Sequence, residues 1–325
     1  MKRILTFLAI WMASALTCGS ALGQDFHRDD TNPAENENIK IIDADRPWRG
    51  GTNFVGAEGE HHIIDIFRPV YLCTGFQPGE KISGQTADIK FQYSVRASLF
   101  RDLWGLKFDF FIGFTQRSFW NIYAYSSPIY DNTYMPGIYT YFPITNKATG
   151  NVTNDILFGY EHRSNGRDDL LSRSVNYGFV TYTHYFPCNL NLQATVRFGD
   201  GYYGDTRTWE VMNKYFGYVN LSAMYTTPKK TFDFMVNVSP IYNRSIANIT
   251  AEASVRLSKK YGNPYFFVQY HWGYDDACRD ILTDIPDVVS PDGMVHMNNG
   301  MPMAPKQYIR FGVMFQPRTL MRGFL

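Results

Sequence analysis

Charged residues, cysteines and long apolar runs are all scarce in this chain of 325 residues. Charged residues make up 19% of it, and 31 basic side chains face 30 acidic ones, so it lacks the basic surplus that nucleic-acid binding requires. The four cysteines form no Cys-x-x-Cys pair, which argues against a thiolate metal site. Because the only long, mostly apolar run lies near the N-terminus, a helical membrane protein is excluded. The abundant residues, 23 Tyr, 25 Phe, 26 Gly and 16 Pro, favour a β-rich protein with many turns.

The N-terminus has the pattern of a secretory signal. Lys2 and Arg3 precede a mostly apolar run at 4–16, and small residues follow up to Gly23, after which we expect cleavage. A signal anchor is the alternative, but the apolar run is short for a membrane span. Residues 24–62 are polar without sustained periodicity, and we expect an extended lead-in segment there.

From residue 63 onward the dominant signal is alternation of apolar and polar residues, which is typical of β-strands with one apolar and one polar face. Twelve such segments begin near residues 63, 87, 106, 133, 154, 174, 189, 215, 231, 245, 265 and 306. Most are ten or more residues long, which suits tilted strands that cross a bilayer. The sequence therefore predicts an all-β protein, a 12-stranded antiparallel transmembrane β-barrel over residues 63–325. A soluble β-sandwich or lipocalin-like barrel is the alternative, but its core would have to hold the polar face.

The connections between the predicted strands alternate broadly in length. Short ones lie near 101–105, 187–188, 228–230 and 259–264, and long ones span 117–132, 199–214 and 275–305. Tight periplasmic turns and longer external loops produce this alternation, so we expect odd-numbered strands to finish at the cell exterior. An aspartate cluster in the 275–305 loop is more typical of a solvated loop than of a second metal site; it comprises Asp275, Asp276, Asp280, Asp284 and Asp287. Cys73 and Cys278 could both lie near the outer rim and form a disulfide.

Two polar side chains break the alternation in the fifth predicted strand. Ile156, Phe158 and Tyr160 form its apolar row, and His162 and Ser164 continue the same row toward the rim. An imidazole beside a hydroxyl is the pairing that activates a serine nucleophile, and a third group must then fix the imidazole tautomer. Asn176, at the start of the next predicted strand, is the candidate for that third group. The alternative is that His162 and Ser164 are polar groups of the headgroup zone.

A second break occurs in the third predicted strand. Its apolar row, Leu106, Phe108, Phe110, Ile112 and Phe114, is extended by Gln116. Within the bilayer this amide would need a hydrogen-bond partner on another chain. At the membrane interface it would instead contact headgroups, and the pattern leaves both alternatives open.

Longer motifs around these residues resemble the outer-membrane phospholipase A family of bacteria. The first motif is Glu161-His162-Arg163-Ser164-Asn165-Gly166-Arg167, continuing as Asp168-Asp169-Leu170-Leu171-Ser172-Arg173-Ser174-Val175-Asn176. The second comprises Phe114-Thr115-Gln116-Arg117-Ser118-Phe119-Trp120, then Ser126-Ser127-Pro128 and Asn132-Thr133-Tyr134. The resemblance runs from about residue 67 to residue 218, and more weakly to residue 315.

The resemblance implies a twelve-stranded barrel with its catalytic site on the outer face, toward the outer leaflet of the bacterial outer membrane. It implies that Ser164 is the nucleophile, His162 the general base and Asn176 the group that orients His162. It further implies Ca2+-dependent hydrolysis of acyl esters of membrane phospholipids, of the A1/A2 and lysophospholipase type, by a homodimer.

The calcium ligands implied by the resemblance are the Arg167 carbonyl and the Ser172 hydroxyl of one chain and the Ser126 carbonyl of the other. The connection before Ser126 is shorter than the family pattern, so Ser127 is an alternative ligand. Gln116 would be the polar residue of the dimer contact. Two rival functions remain: a passive pore, which requires an open lumen, and a structural or adhesive barrel that uses the 275–305 loop.

Overall fold

The structure is a computed structural model, and it describes residues 64–83, 86–101, 108–146, 152–167, 174–199, 215–241, 247–258, 264–274 and 305–315. The expected signal sequence, the lead-in segment, Ser172 and the 275–305 loop with Cys278 lie outside the described residues, apart from residue 305. Within the described residues, no helix is long and apolar enough to cross a membrane.

All elements of the described chain are strands, and they close into an antiparallel barrel. The strands are β1 (Ile64–Ile66), β2 (Val70–Phe76), β3 (Ala87–Arg101), β4 (Asp109–Trp120), β5 (Ile129–Thr145), β6 (Val152–Ser164), β7 (Ser174–Tyr185), β8 (Leu190–Phe198), β9 (Val219–Thr226), β10 (Phe232–Pro240), β11 (Ala247–Arg256), β12 (Pro264–Gly273) and β13 (Lys306–Phe315). From β3 to β13 each strand pairs with the next one in sequence, and β13 closes the sheet on β2. Because β1 and β2 pair with successive parts of β3, they form one barrel strand together. The predicted 12-stranded antiparallel barrel is confirmed.

The two faces of the barrel wall have inverted polarity relative to a soluble protein. On β3 the inward side chains of Asp88, Lys90 and Gln92 are buried in the lumen, whereas Tyr93 and Val95 are 40% and 43% exposed on the outside. An outward apolar band and a polar interior are what a barrel needs when lipid, and not water, surrounds it. The predicted assignment of the polar face to the interior is confirmed.

The first barrel strand is interrupted at residues 67–69, a feature that the sequence pattern did not reveal. Pro69 has no backbone N–H to contribute to the ladder. Phe67 and Arg68 both lie buried in the lumen, although neighbouring residues of a regular strand would point to opposite faces. The backbone N–H of Arg68 donates to the Ser94 hydroxyl at 3.1 Å, which secures the break to β3.

Aromatic side chains fill the lumen on the side of β4–β7. Phe67, Phe111, Tyr139, Tyr177 and Phe179 belong to one buried cluster, and Tyr139 stacks on Phe111 with ring centroids 5.1 Å apart. Glycines in the wall provide the space. A Cβ on Gly137 would lie 2.5 Å from the Tyr139 hydroxyl, and one on Gly113 would lie 2.9 Å from the Tyr139 ring.

Two expectations about connections and cysteines were wrong. The connection expected at 117–132 spans only 121–128, because β4 continues to Trp120 and β5 begins at Ile129. Strands that carry polar residues on both faces lose the alternation by which a strand is recognised, so their ends were assigned to the loop. Cys73 does not pair with Cys278: it is a free thiol buried in the wall, on the lumen face of β2 and not at the rim.

Candidate active site

His162 and Ser164 lie on the outer face of β6, at its C-terminal end. The intervening positions point inward, since Glu161 is fully buried in the lumen, while Tyr160 and Phe158 are 47% and 44% exposed on the outside. His162 and Ser164 are both partly buried. Side chains two residues apart on one strand face have Cα atoms roughly 6.5 Å apart, within reach of each other for an imidazole and a hydroxyl.

Asn176 is brought beside His162 by the antiparallel pairing of β6 and β7. The register places His162 opposite Asn176 and Ser164 opposite Ser174. His162 Nδ1 lies 2.8 Å from the Asn176 amide oxygen. Because an amide oxygen only accepts hydrogen bonds, this contact assigns the ring hydrogen to Nδ1 and leaves the Nε2 lone pair available as a base. The structure thus places His162 in contact with Asn176, and Ser164 lies two residues from His162 on the same face of β6.

The wall on the β5 side of this pair has an unusual ladder. Tyr134 pairs with Ser164 and Gly137 with Glu161, but the register omits the two positions between them, Met135 and Pro136. A proline removes a ladder donor. Extending the register places Pro136 next to His162, so β6 has a continuous ladder with β7 at this level but not with β5.

An apolar groove of about 590 Å³ opens on the outer wall next to His162. It crosses β3, β4, β5 and β6 and is lined mainly by apolar side chains: Val95, Ala97, Ile112, Phe114, Pro136, Ile138 and Tyr160. Gly113 and Gly137 contribute backbone to its floor. Such a groove can hold a hydrocarbon chain with its polar end at the imidazole.

Of the predicted calcium ligands, Ser126 and Arg167 are described and Ser172 is not. Ser126 and Ser127 adopt left-handed backbone angles, φ 66° and 41°, in the exposed turn 121–128. The Ser127 carbonyl accepts a hydrogen bond from Trp120 Nε1 at 2.8 Å, whereas Ser126 has no hydrogen-bond partner in the described part of the chain. Of these two carbonyls, the one at Ser126 is therefore the better placed for an external ligand.

Arg167 follows Ser164 by three residues in a short segment with its own local geometry. The Asn165 side-chain oxygen accepts the Arg167 backbone N–H at 3.3 Å, and Gly166 has φ 66°. In the described residues, no group of three or more His, Cys, Asp or Glu side chains could hold a metal ion. A cation here would depend on carbonyl and hydroxyl oxygens, which are ligands that Ca2+ accepts.

Gln116 faces outward, as predicted, and its amide has partners within the chain. Tyr93 donates to its oxygen, and its nitrogen donates to Ser118 at 3.1 Å and lies 3.5 Å from the Asn132 side-chain oxygen. The register places Tyr93, Gln116, Tyr134 and Ser164 in one row across four strands. The sequence pattern did not predict the contact with Tyr93, which lies within the apolar row of its own strand.

A buried polar cluster lies directly behind the site and was also missed. The Glu161 carboxylate accepts hydrogen bonds from Arg68, Tyr139 and Tyr177, of which the one from Tyr139 measures 2.8 Å. Alternation alone places Glu161 in the lumen, but it says nothing of partners that lie as far away as Arg68, 93 residues earlier.

Fold and site together define a class of protein: a transmembrane β-barrel whose lipid-facing wall carries a serine and a histidine–asparagine pair beside an apolar groove. Sequence comparison gives the particular family. The profile of the family described as Phospholipase A1 matches residues 73–281, more than half of the chain, and the chain belongs to this family.

Curated relatives carry the same description. The chain is 34% identical to a Phospholipase A1 of Proteus vulgaris over 200 residues, which cover 59% of this chain and 64% of the relative. It is 32% identical to the Phospholipase A1 of Escherichia coli K12 over 142 residues, 42% of this chain and 47% of the relative. The matched region thus spans between about half and two thirds of the length of these relatives.

Solved structures share the fold. An outer membrane phospholipase dimer of Salmonella typhi with bound calcium superposes with a TM-score of 0.62 at 19% identity, covering 83% of this chain and 99% of that one. The outer membrane phospholipase A of Escherichia coli superposes with a TM-score of 0.61 at 19% identity, covering 79% of this chain and 99% of that one.

Proposed function

We propose that this protein is a calcium-dependent phospholipase of the bacterial outer membrane that hydrolyses acyl esters of phospholipids, with A1/A2 and lysophospholipase activity. The observation that carries the proposal is the 2.8 Å contact between His162 Nδ1 and the Asn176 oxygen, on the same outer face as Ser164. Membership of the Phospholipase A1 family supports it.

The reaction follows the logic of a serine hydrolase. His162 Nε2 takes the proton of the Ser164 hydroxyl while Ser164 Oγ attacks the ester carbonyl. The imidazolium then gives that proton to the departing lysophospholipid oxygen, and an acyl-serine remains. Water, deprotonated by His162, releases the fatty acid. Asn176 keeps Nδ1 protonated and the ring oriented throughout, and backbone N–H groups after Ser164 stabilise the oxyanion.

The groove favours a lipid substrate over a soluble ester. It opens on the wall that faces the hydrocarbon of the bilayer, so an acyl chain enters it without crossing water. Orientation of the C-terminal end of β6 toward the cell exterior would place Ser164 at the outer leaflet. Phospholipids that reach that leaflet would then be the substrate.

Calcium would be held by the Arg167 carbonyl and the Ser172 hydroxyl of one subunit and the Ser126 carbonyl of a second. When bound, it supplies positive charge next to the developing oxyanion. Two subunits would thus be needed to complete the site, and Gln116 would lie in their contact. A carbonyl and hydroxyl site with few carboxylates binds Ca2+ weakly, which suits an enzyme that must remain silent in an intact membrane.

A passive pore is disfavoured by the lumen. Arg68 and Glu161, on strands four positions apart in the barrel, form an ion pair inside it, and a lumen cavity that they line measures only about 110 Å³. Side chains from separate parts of the wall therefore occupy lumen space that a conducting channel would need.

The deciding experiment is a hydrolysis assay of purified protein on phospholipid–detergent micelles, with calcium and with chelator. Ser164→Ala should abolish hydrolysis while the barrel keeps its heat-modifiable electrophoretic mobility, and Ser254→Ala, on the lumen face of β11, should keep full activity. Chelator should silence the wild type. Hydrolysis by Ser164→Ala would refute the nucleophile, and conductance without hydrolysis would favour a pore.

A further inference from the structure

A fully buried carboxylate stands immediately behind the histidine of the site. Glu161 precedes His162 on β6 and points into the lumen. Its two oxygens accept three hydrogen bonds, from Arg68 and Tyr139 on one oxygen and from Tyr177 on the other. Hydrogen bonds to a charged acceptor are about twice as strong as neutral ones, so this carboxylate is tightly held.

The Glu161–Tyr177 pair is adjacent to the His162–Asn176 pair in the register of β6 and β7. On the inner face Glu161 pairs with Tyr177, and one residue further along, on the outer face, His162 pairs with Asn176. Side-chain hydrogen bonds link β6 to β7 in both pairs. A twist or slip of β6 against β7 would have to break both together.

On the β5 side of β6, a side-chain hydrogen bond to the Glu161 carboxylate lies next to positions where the β5–β6 ladder is missing. The β5–β6 register is interrupted beside His162, at Met135 and Pro136, and resumes at the pair Gly137–Glu161. Tyr139 of β5 reaches back to Glu161 at 2.8 Å because Gly137 has no side chain in the way. Next to the interruption, β6 is therefore fixed to β5 through this hydrogen bond.

Arg68 ties the same carboxylate to a distant part of the wall. The break between β1 and β2 turns Arg68 into the lumen, where its side chain is 3% exposed and pairs with Glu161. Between them, the three donors connect β6 to β5, to β7 and to the first barrel strand. Few local motions of β6 are left free under such a restraint.

We propose that Glu161 is a positioning residue, which acts on the reaction by holding β6 so that His162 Nδ1 stays on Asn176. This inference rests on the proposed function of Ser164, His162 and Asn176. Glu161 touches no substrate, since its side chain lies on the lumen side of the wall. Its effect must therefore pass through the histidine–asparagine pair.

The test is a cycle of variants assayed on micelles at saturating calcium. Glu161→Gln keeps the shape of the side chain but loses its charge and one of its acceptors. We expect kcat to fall on the order of 10- to 100-fold, the effect of a displacement of about 1 Å at a catalytic group, with KM unchanged. In an Asn176→Ala background the same substitution should cause almost no further loss, because the contact it protects is already gone.

Asp155 provides a matched control. It lies six residues earlier on the same face of β6, is equally buried, and accepts hydrogen bonds from Tyr141 on β5 and Tyr185 on β7. Asp155→Asn should lower the midpoint of denaturant unfolding, as we also expect of Glu161→Gln, but leave kcat at the wild-type value.

Three outcomes would overturn the proposal: equal losses of kcat for Glu161→Gln in the wild-type and Asn176→Ala backgrounds, an equal loss in Asp155→Asn, or no loss in Glu161→Gln. If Glu161→Gln does not fold, Tyr177→Phe decides, because it removes a single hydrogen bond to Glu161. Lowered kcat at unchanged KM supports the proposal and wild-type kcat overturns it. Activity in Ser164→Ala would instead contradict the proposed function, so the two failures are distinguishable.

Discussion

The inverted polarity of the wall makes a quantitative prediction at Ala253, on the outer face of β11. Ala253 lies between the outward side chains of Phe234 and Val268, which are 47% and 44% exposed, and it is the seventh of ten residues in its strand. An arginine on the lipid face costs about 2–4 kcal/mol at the bilayer midplane and about 0–1 near the interface. Because Ala253 is displaced from the middle of β11, we expect Ala253→Arg to cost about 2 kcal/mol, or roughly a 30-fold fall in the folding equilibrium.

Ala253→Leu is the matched control for side-chain bulk. It adds three carbons on a face where lipid accepts them, so the free energy of unfolding should stay the same or rise by about 1 kcal/mol. Both variants can be measured by reversible denaturant unfolding in lipid vesicles, followed by tryptophan fluorescence. In a water-exposed wall the order would reverse, with Arg tolerated and Leu promoting aggregation. That reversed order would refute the assignment of the outer face to lipid.

Three further predictions concern the site and its surroundings. Tyr93→Phe removes a donor to the Gln116 oxygen, which then becomes available to a second subunit in the proposed dimer. The free energy of dimerisation, measured by sedimentation in detergent, should become more favourable by about 0.6–1.7 kcal/mol. Weaker dimerisation would contradict a role of Gln116 in the contact. Gly137→Ala brings a Cβ within 2.5 Å of the Tyr139 hydroxyl and 2.8 Å of the Tyr160 carbonyl, and should cost about 1–3 kcal/mol of stability by denaturant unfolding; unchanged stability would contradict the close packing of this wall. Ser126→Gly keeps the carbonyl and relaxes φ 66°, so the calcium dependence of hydrolysis should not change; a weakened dependence would point to the Ser126 hydroxyl as the ligand.

The barrel could be predicted from the sequence because lipid and lumen impose opposite demands on alternate residues. On β3 the alternation is regular, and the structure follows it. On β7 it is ambiguous, since Val175, Tyr177 and Phe179 are apolar yet point inward. Beside the site the lumen is filled with aromatic side chains, so hydrophobicity no longer distinguishes the two faces.

The catalytic candidates were found because they violate the alternation and match a longer motif. His162 and Ser164 interrupt an apolar row, and Asn176 followed from the antiparallel neighbour and the resemblance. The contacts of Glu161 could not be found in this way. Its partner Arg68 is 93 residues distant and reaches the lumen only because the first barrel strand breaks at Pro69.

At Gly113 and Gly137 only the backbone separates the outer groove from the inner aromatic cluster, because neither residue has a side chain. A larger residue at either position would change the aromatic cluster as well as the groove, since its side chain would collide with Tyr139. Under the proposed function, family members that differ in the acyl chains they accept are expected to vary the sides of the groove, at positions such as Ala97, Ile112 and Ile138, and to keep its floor.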